Sequence, residues 1–105
     1  MFVKVEVYIP EDYVYPLMKE INDSGCIREG NYDYAFSATK VLGHWRPVEG
    51  SKPFSGEEGK LSCEEEIKLE FRIRHNCIGV VRDLIKKNHP YEVPVMNFIP
   101  LIEEK

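Results

Sequence analysis

Hydrophobic and polar residues alternate strictly over residues 2–9. Val3, Val5, Val7 and Ile9 fall on one side and Lys4, Glu6 and Tyr8 on the other, the pattern of a half-buried strand. The alternation returns over residues 65–74, where Ile67, Leu69, Phe71 and Ile73 oppose Lys68, Glu70, Arg72 and Arg74. Between these stretches, Val14, Leu17, Met18 and Ile21 recur at helical spacing. Pro10-Glu11-Asp12 reads as the helix start, because acidic residues suit the positive end of the helix dipole. Pro16 lies inside the pattern and predicts either a start near itself or a kink, since proline removes a helix hydrogen bond. Ser24-Gly25 reads as the stop, with Asp23 and Ser24 as solvated loop residues. A second amphipathic helix is carried by Ile78, Val81, Leu84 and Ile85, with Asn76 as its predicted N-cap and Lys86 and Lys87 in its last turn. Gly79 weakens its start and His89-Pro90 ends it. Residues 93–101 predict a last strand, short or at a sheet edge because Pro94 and Pro100 bracket it; Val95, Asn97 and Ile99 share one side, Met96, Phe98 and Pro100 the other. In residues 26–42, Tyr32, Tyr34, Phe36 and Ala38 alternate with Asp33, Ala35, Ser37 and Thr39, which predicts a strand entered through the Gly30-Asn31 break. Its aromatic face would pack a core or a subunit interface, or stack on a ligand.

The predicted order is β-α-β-loop-β-α-β. Two such halves make an α+β, ferredoxin-like split βαβ arrangement, a four-stranded antiparallel sheet with both helices on one face. The other face would carry Lys4, Glu6, Tyr8, Lys68, Glu70, Arg72 and Arg74, covered by water or by a second subunit, a trimer being one way to cover it. The stretch Gly43–Gly59 holds four of the seven glycines, two of the seven prolines and the single tryptophan. A loop this long is usually functional or disordered, and its Trp45, Arg46 and Phe54 predict an ordered, projecting loop that contacts something. Glu64-Glu65-Glu66 reads as a solvated charge run.

At 105 residues the chain is expected to form one domain, residues 1–105. Its net charge of −4 argues against nucleic acid and anionic membranes as partners. No apolar run approaches a membrane span, and Met1–Glu6 alternates like a strand and does not resemble a signal peptide. Cys26, Cys63 and Cys77 are odd in number and form no CxxC motif. This leads to the expectation of a reduced, cytoplasmic protein without a disulfide framework.

Two groups of residues could carry chemistry. His89-Pro90-Tyr91-Glu92 sits between helix and strand. His89 and Glu92 could meet a metal ion; alternatively His89 caps backbone carbonyls, Pro90 enforces the exit and Tyr91 packs the sheet end. Arg46 beside Trp45 could hold an anion with help from glycine N–H groups, or could pair with an acidic residue such as Asp33 while Trp45, Pro47 and Pro53 pack the loop. His75 and Cys77 stand two apart, a weak metal signal. Cys77 could be an activated thiol in a first helical turn or a small packing residue. Asp33 and Glu92 could pair as acid and base, although nothing in the sequence brings them together, and no Ser-His-Asp or Cys-His spacing is recognisable.

Gly30-Asn31-Tyr32-Asp33, Trp45-Arg46-Pro47 with Gly50 and Pro53-Phe54-Ser55-Gly56, Glu65-Glu66, and His89-Pro90-Tyr91-Glu92-Val93-Pro94 together resemble the small YqfO-type domain. That domain occurs as an insertion in the Nif-three-like (dinuclear metal centre) family and as a stand-alone protein of about this length. The resemblance implies a fold similar to CutA and the PII signalling proteins, ferredoxin-like trimers with loops projecting between the second and third strands. The family's metal ligands lie in a larger flanking domain that this sequence lacks, so hydrolase chemistry is not carried over. Glu29 and Val93 depart from the isoleucine and glutamate expected in the family's motifs. The expectation is therefore a non-enzymatic oligomeric module, binding a small ligand, or a divalent metal ion as cofactor, at subunit interfaces. Tyr32, Asp33, Trp45, Arg46, His89, Tyr91 and Glu92 are its candidate binding residues, and its partners would be further copies of itself or a small-molecule, metal or protein ligand. The alternatives are a metal-assisted hydrolase and a structural oligomerisation domain.

Overall fold

The computed structural model describes residues 1–102; residues 103–105, the end of the expected 1–105 domain, lie outside the described residues. Its elements are β1 (Phe2–Ile9), α1 (Val14–Asp23), β2 (Ser37–Trp45), β3 (Ser62–Arg74), α2 (Ile78–Asn88) and β4 (Met96–Pro100). The four strands form one antiparallel sheet in the order β2-β3-β1-β4, which is the expected ferredoxin-like topology.

The register follows from the alternation. Across the β1–β3 pair, Val3 meets Ile73, Val5 meets Phe71, Val7 meets Leu69 and Ile9 meets Ile67. All eight are buried, and they pack with Val14, Leu17, Met18 and Ile21 of α1 and Val81 and Ile85 of α2. A slip of one residue would turn this whole set out to solvent. On the opposite face the same register sets Glu6 against Glu70, a like-charge pair that would repel. Lys4 and Lys68 each bridge both carboxylates, at 2.8–3.4 Å. Hydrogen bonds from Lys4 and then Lys68 hold the Glu70 carboxyl below its usual range. Arg72 reaches Glu29 through two parallel hydrogen bonds of 3.0 and 2.8 Å and ties the chain after α1 to this face.

Several expectations change. The first helix opens with a 3-10 turn over Glu11–Tyr13, and α1 starts at Val14. Pro16 therefore falls in the first turn, where a missing N–H costs no intrahelical bond, and no kink is needed. Asp23 closes α1 rather than lying in the loop; Ser24 is the C-cap and Gly25 follows at φ 82°. Asn76 does not cap α2. It sits inside a 3-10 turn, His75–Cys77, and Cys77 occupies the cap position without a side-chain bond. β4 is an edge strand, as its prolines predict, but starts at Met96 rather than residue 93.

The segment before β2 departs most from its pattern. The Glu29–Tyr32 bridge closes a tight turn through Gly30 and Asn31, and Tyr34 adopts φ 50° while its N–H bonds to the Asn22 side chain at 2.8 Å. The extended chain begins only at Ser37. Tyr32, Tyr34 and Phe36 thus share no strand face. Phe36 alone of the three packs against the core.

The cysteines also differ from expectation. Cys26, just after α1, and Cys77, just before α2, are joined as a disulfide with Cα atoms 6.1 Å apart, within the usual range for such a bridge. Cys77 is therefore neither an activated thiol nor only a packing residue. Cys63 is free and exposed.

Candidate functional site

β2 and β3 run on together beyond the end of β1. Ile9 pairs with Ile67, while the β2–β3 ladder continues from Val41–Glu66 to Trp45–Ser62. Gly43, His44 and Trp45, expected in the long loop, belong to this projecting hairpin. The connecting segment, 46–61, is ordered by its own bonds: Ser51 N–H to Val48 O (3.0 Å), Gly59 N–H to Pro47 O (2.7 Å), and the Trp45 indole N–H to Ser55 O (3.2 Å). It folds against the turn between α2 and β4, where Glu92 accepts the Lys52 N–H at 2.9 Å.

Between hairpin, segment and turn lies an open cleft of about 430 Å³. The register places Tyr8, Glu66, Gly43 and Trp45 on the sheet face opposite the helices, and all four line the cleft with Tyr91 and Phe54. Tyr91 is central. Its ring lies 5.8 Å from Trp45, 6.1 Å from Phe54 and 4.7 Å from His89, centre to centre. Its hydroxyl donates to Glu66 at 2.8 Å. Burial first, then this bond and the Glu66 charge, push the Tyr91 phenol well above its ordinary value. Glu66 is only 6% exposed, so the end of the charge run is not solvated. A Cβ on Gly43 would fall on Glu66 Oε1, so a glycine there leaves room for the carboxylate. Sequence reasoning missed this pair, although a glycine within a strand pattern signals a close approach.

His89 stands behind the cleft and is 7% exposed. Nε2 lies 2.6 Å from Tyr8 O and Nδ1 accepts the Tyr91 N–H at 3.2 Å, an arrangement met by the neutral ring protonated on Nε2. Burial lowers the His89 pKa from 6.5, opposed by the Tyr8 carbonyl and Glu66. The unfolded chain then binds the proton more readily than the folded one, so stability from this group is present above pH 6.5 and lost as pH falls through the lower folded value. Thermal unfolding followed from pH 7.5 to 5 is expected to show a falling midpoint that His89→Gln flattens; an unchanged slope in the variant would assign the effect elsewhere.

Of the residues singled out from sequence, Trp45, Arg46, Tyr91 and Glu92 come together here. Tyr32 and Asp33 do not. They lie beside the end of α1, with Asp33 3.4 Å from Asn22, at the far end of β2, roughly 25 Å of extended strand away. Asp33 thus pairs with neither Arg46 nor Glu92. Among the described residues Arg46 has no ion-pair or side-chain hydrogen-bond partner. A divalent ion fits this donor set poorly. Both His89 nitrogens serve the backbone, Glu92 tethers Lys52, and among the described residues no three His, Cys, Asp or Glu side chains converge.

Comparison with known proteins agrees with this architecture. The family described as CutA1 divalent ion tolerance protein matches residues 57–105. A GTP cyclohydrolase 1 type 2 homolog of Staphylococcus epidermidis is 36% identical over 103 residues, covering 98% of this chain and 28% of the relative; the Staphylococcus aureus homolog is 37% identical over 101 residues. The chain thus spans little more than a quarter of the curated relatives it matches. A Bacillus cereus protein related to NIF3 superposes with a TM-score of 0.83 at 26% identity, over 97% of this chain and 26% of that one. The periplasmic divalent cation tolerance protein CutA of Archaeoglobus fulgidus superposes with a TM-score of 0.75 over 100% of this chain and 88% of that one; at 16% identity it speaks for the fold alone.

Proposed function

We propose that this chain, a CutA-like domain of the kind carried within NIF3-related proteins, is a non-enzymatic binding or regulatory module whose small ligand enters the cleft beneath the β2–β3 hairpin. The observation that carries the reading is that Arg46, which has no ion-pair or side-chain hydrogen-bond partner among the described residues, lines the same cleft as aromatic walls already held in place by hydrogen bonds. Ordering costs are met in folding rather than in binding, which favours affinity.

Self-association into a trimer is part of this reading. Leu42 on the β2 edge, Ile99 on the β4 edge and Val95 just before β4 are exposed, and both edges offer unpaired backbone. Neighbouring copies there would complete the cleft. A cytoplasmic location loses the support drawn from an absence of disulfides, since Cys26 and Cys77 are joined; among the described residues no helix is long and apolar enough to cross a membrane.

Native mass spectrometry of untagged protein tests the reading. The expected result is a trimer with a reproducible added mass that Arg46→Ala loses while remaining trimeric. A bare trimer would favour a structural oligomerisation domain, and a monomer would remove the sites between subunits.

A further inference from the structure

The cleft offers charge of both signs around an aromatic floor. Among the described residues Arg46 is its one cation without an ion-pair or side-chain hydrogen-bond partner. Glu66 uses one oxygen on Tyr91 and leaves Oε1, above Gly43, without a partner among the described residues. Glu92 uses Oε1 on Lys52 N–H and leaves its other oxygen without a partner among the described residues. Trp45 and Tyr91 have their polar atoms committed to Ser55 and Glu66, so what they offer a ligand is their apolar ring faces, with Phe54 beside them.

From these features the geometry points to a small zwitterion with a flat apolar body, an aromatic α-amino acid or close analogue, as the occupant. Its carboxylate meets Arg46, its ammonium meets the open oxygens of Glu66 and Glu92, and its ring stacks on Trp45 and Tyr91. A simple anion would face two carboxylates and a simple cation would face Arg46, so a ligand carrying both charges suits the lining better than either. A volume of about 430 Å³ is of the size found for small-molecule sites. The inference rests on the binding-module reading and adds the ligand class.

Trp45 is the only tryptophan, so its fluorescence reports the cleft directly. The probes are L-phenylalanine, L-phenylalaninamide, 3-phenylpropanoate and L-leucine, titrated against the full chain by fluorescence and calorimetry. L-Phenylalanine is expected to bind about tenfold tighter than the amide, which lacks the carboxylate, and than the propanoate, which lacks the ammonium, each change removing a charge-assisted hydrogen bond. L-Leucine is expected to bind more weakly for want of a ring. Arg46→Gln should erase the preference for acid over amide, and Glu92→Gln should reduce the preference over the propanoate. Equal binding of acid and amide, or no binding of L-phenylalanine, overturns the inference. In that event a co-purified mass in the native spectrum leaves the binding module standing with another ligand class, whereas a bare oligomer removes both.

Discussion

Removing the Cys26–Cys77 disulfide is expected to lower the unfolding free energy by about 4 kcal/mol. The bridge joins residues 51 apart in sequence, and closing a loop of that size takes roughly this much entropy from the unfolded chain. It clamps the chain leaving α1 to the chain entering α2, and both cysteines also pack against the core. For a domain of this size about 4 kcal/mol corresponds to a fall of roughly 15 °C or more in melting midpoint. Circular dichroism melts with and without a thiol reductant check this, together with the Cys26→Ala/Cys77→Ala double variant. Cys63→Ala, at an exposed free thiol, is the control and should melt like the parent. Coincident melts in oxidising and reducing buffer would show that the bridge contributes nothing in solution.

The second large effect concerns Tyr91. Tyr91→Ala removes a ring in contact with Trp45, Phe54 and His89 and deprives the buried Glu66 carboxylate of its donor. Loss of aromatic packing and an unsatisfied carboxylate together are expected to cost about 3 kcal/mol. Tyr91→Phe keeps the ring and loses only the hydroxyl, so about 1–2 kcal/mol is expected. The difference between the two separates packing from hydrogen bonding. Chemical denaturation measures both, and Trp45 emission reports whether the cleft persists. If Tyr91→Phe were as stable as the parent, the Tyr91–Glu66 bond would carry no net stabilisation and the cleft would owe its shape to packing alone.

These two sites also mark where sequence reading stopped. The alternation of residues 2–9 and 65–74 and the stripe Val14, Leu17, Met18, Ile21 sufficed for β1, β3, the first helix and the core they share. Burial on one face imposes a period, and a period is local information. The same holds for the β4 edge, written in Pro94 and Pro100. At residues 32–36 a period was present and misled, because Gly30 and Tyr34 adopt positive φ and Asn22, twelve residues before Tyr34, supplies the bond that holds the turn. Trp45, Arg46, Tyr91 and Glu92 were legible as unusual residues in unusual segments, but not as neighbours. Tertiary structure alone decided that Glu66 leaves solvent to meet Tyr91 over Gly43, that both His89 nitrogens serve the backbone and that Cys26 meets Cys77. Each joins residues more than twenty apart in sequence, except His89 with Tyr91. Such contacts depend on how elements pack, which no local periodicity records.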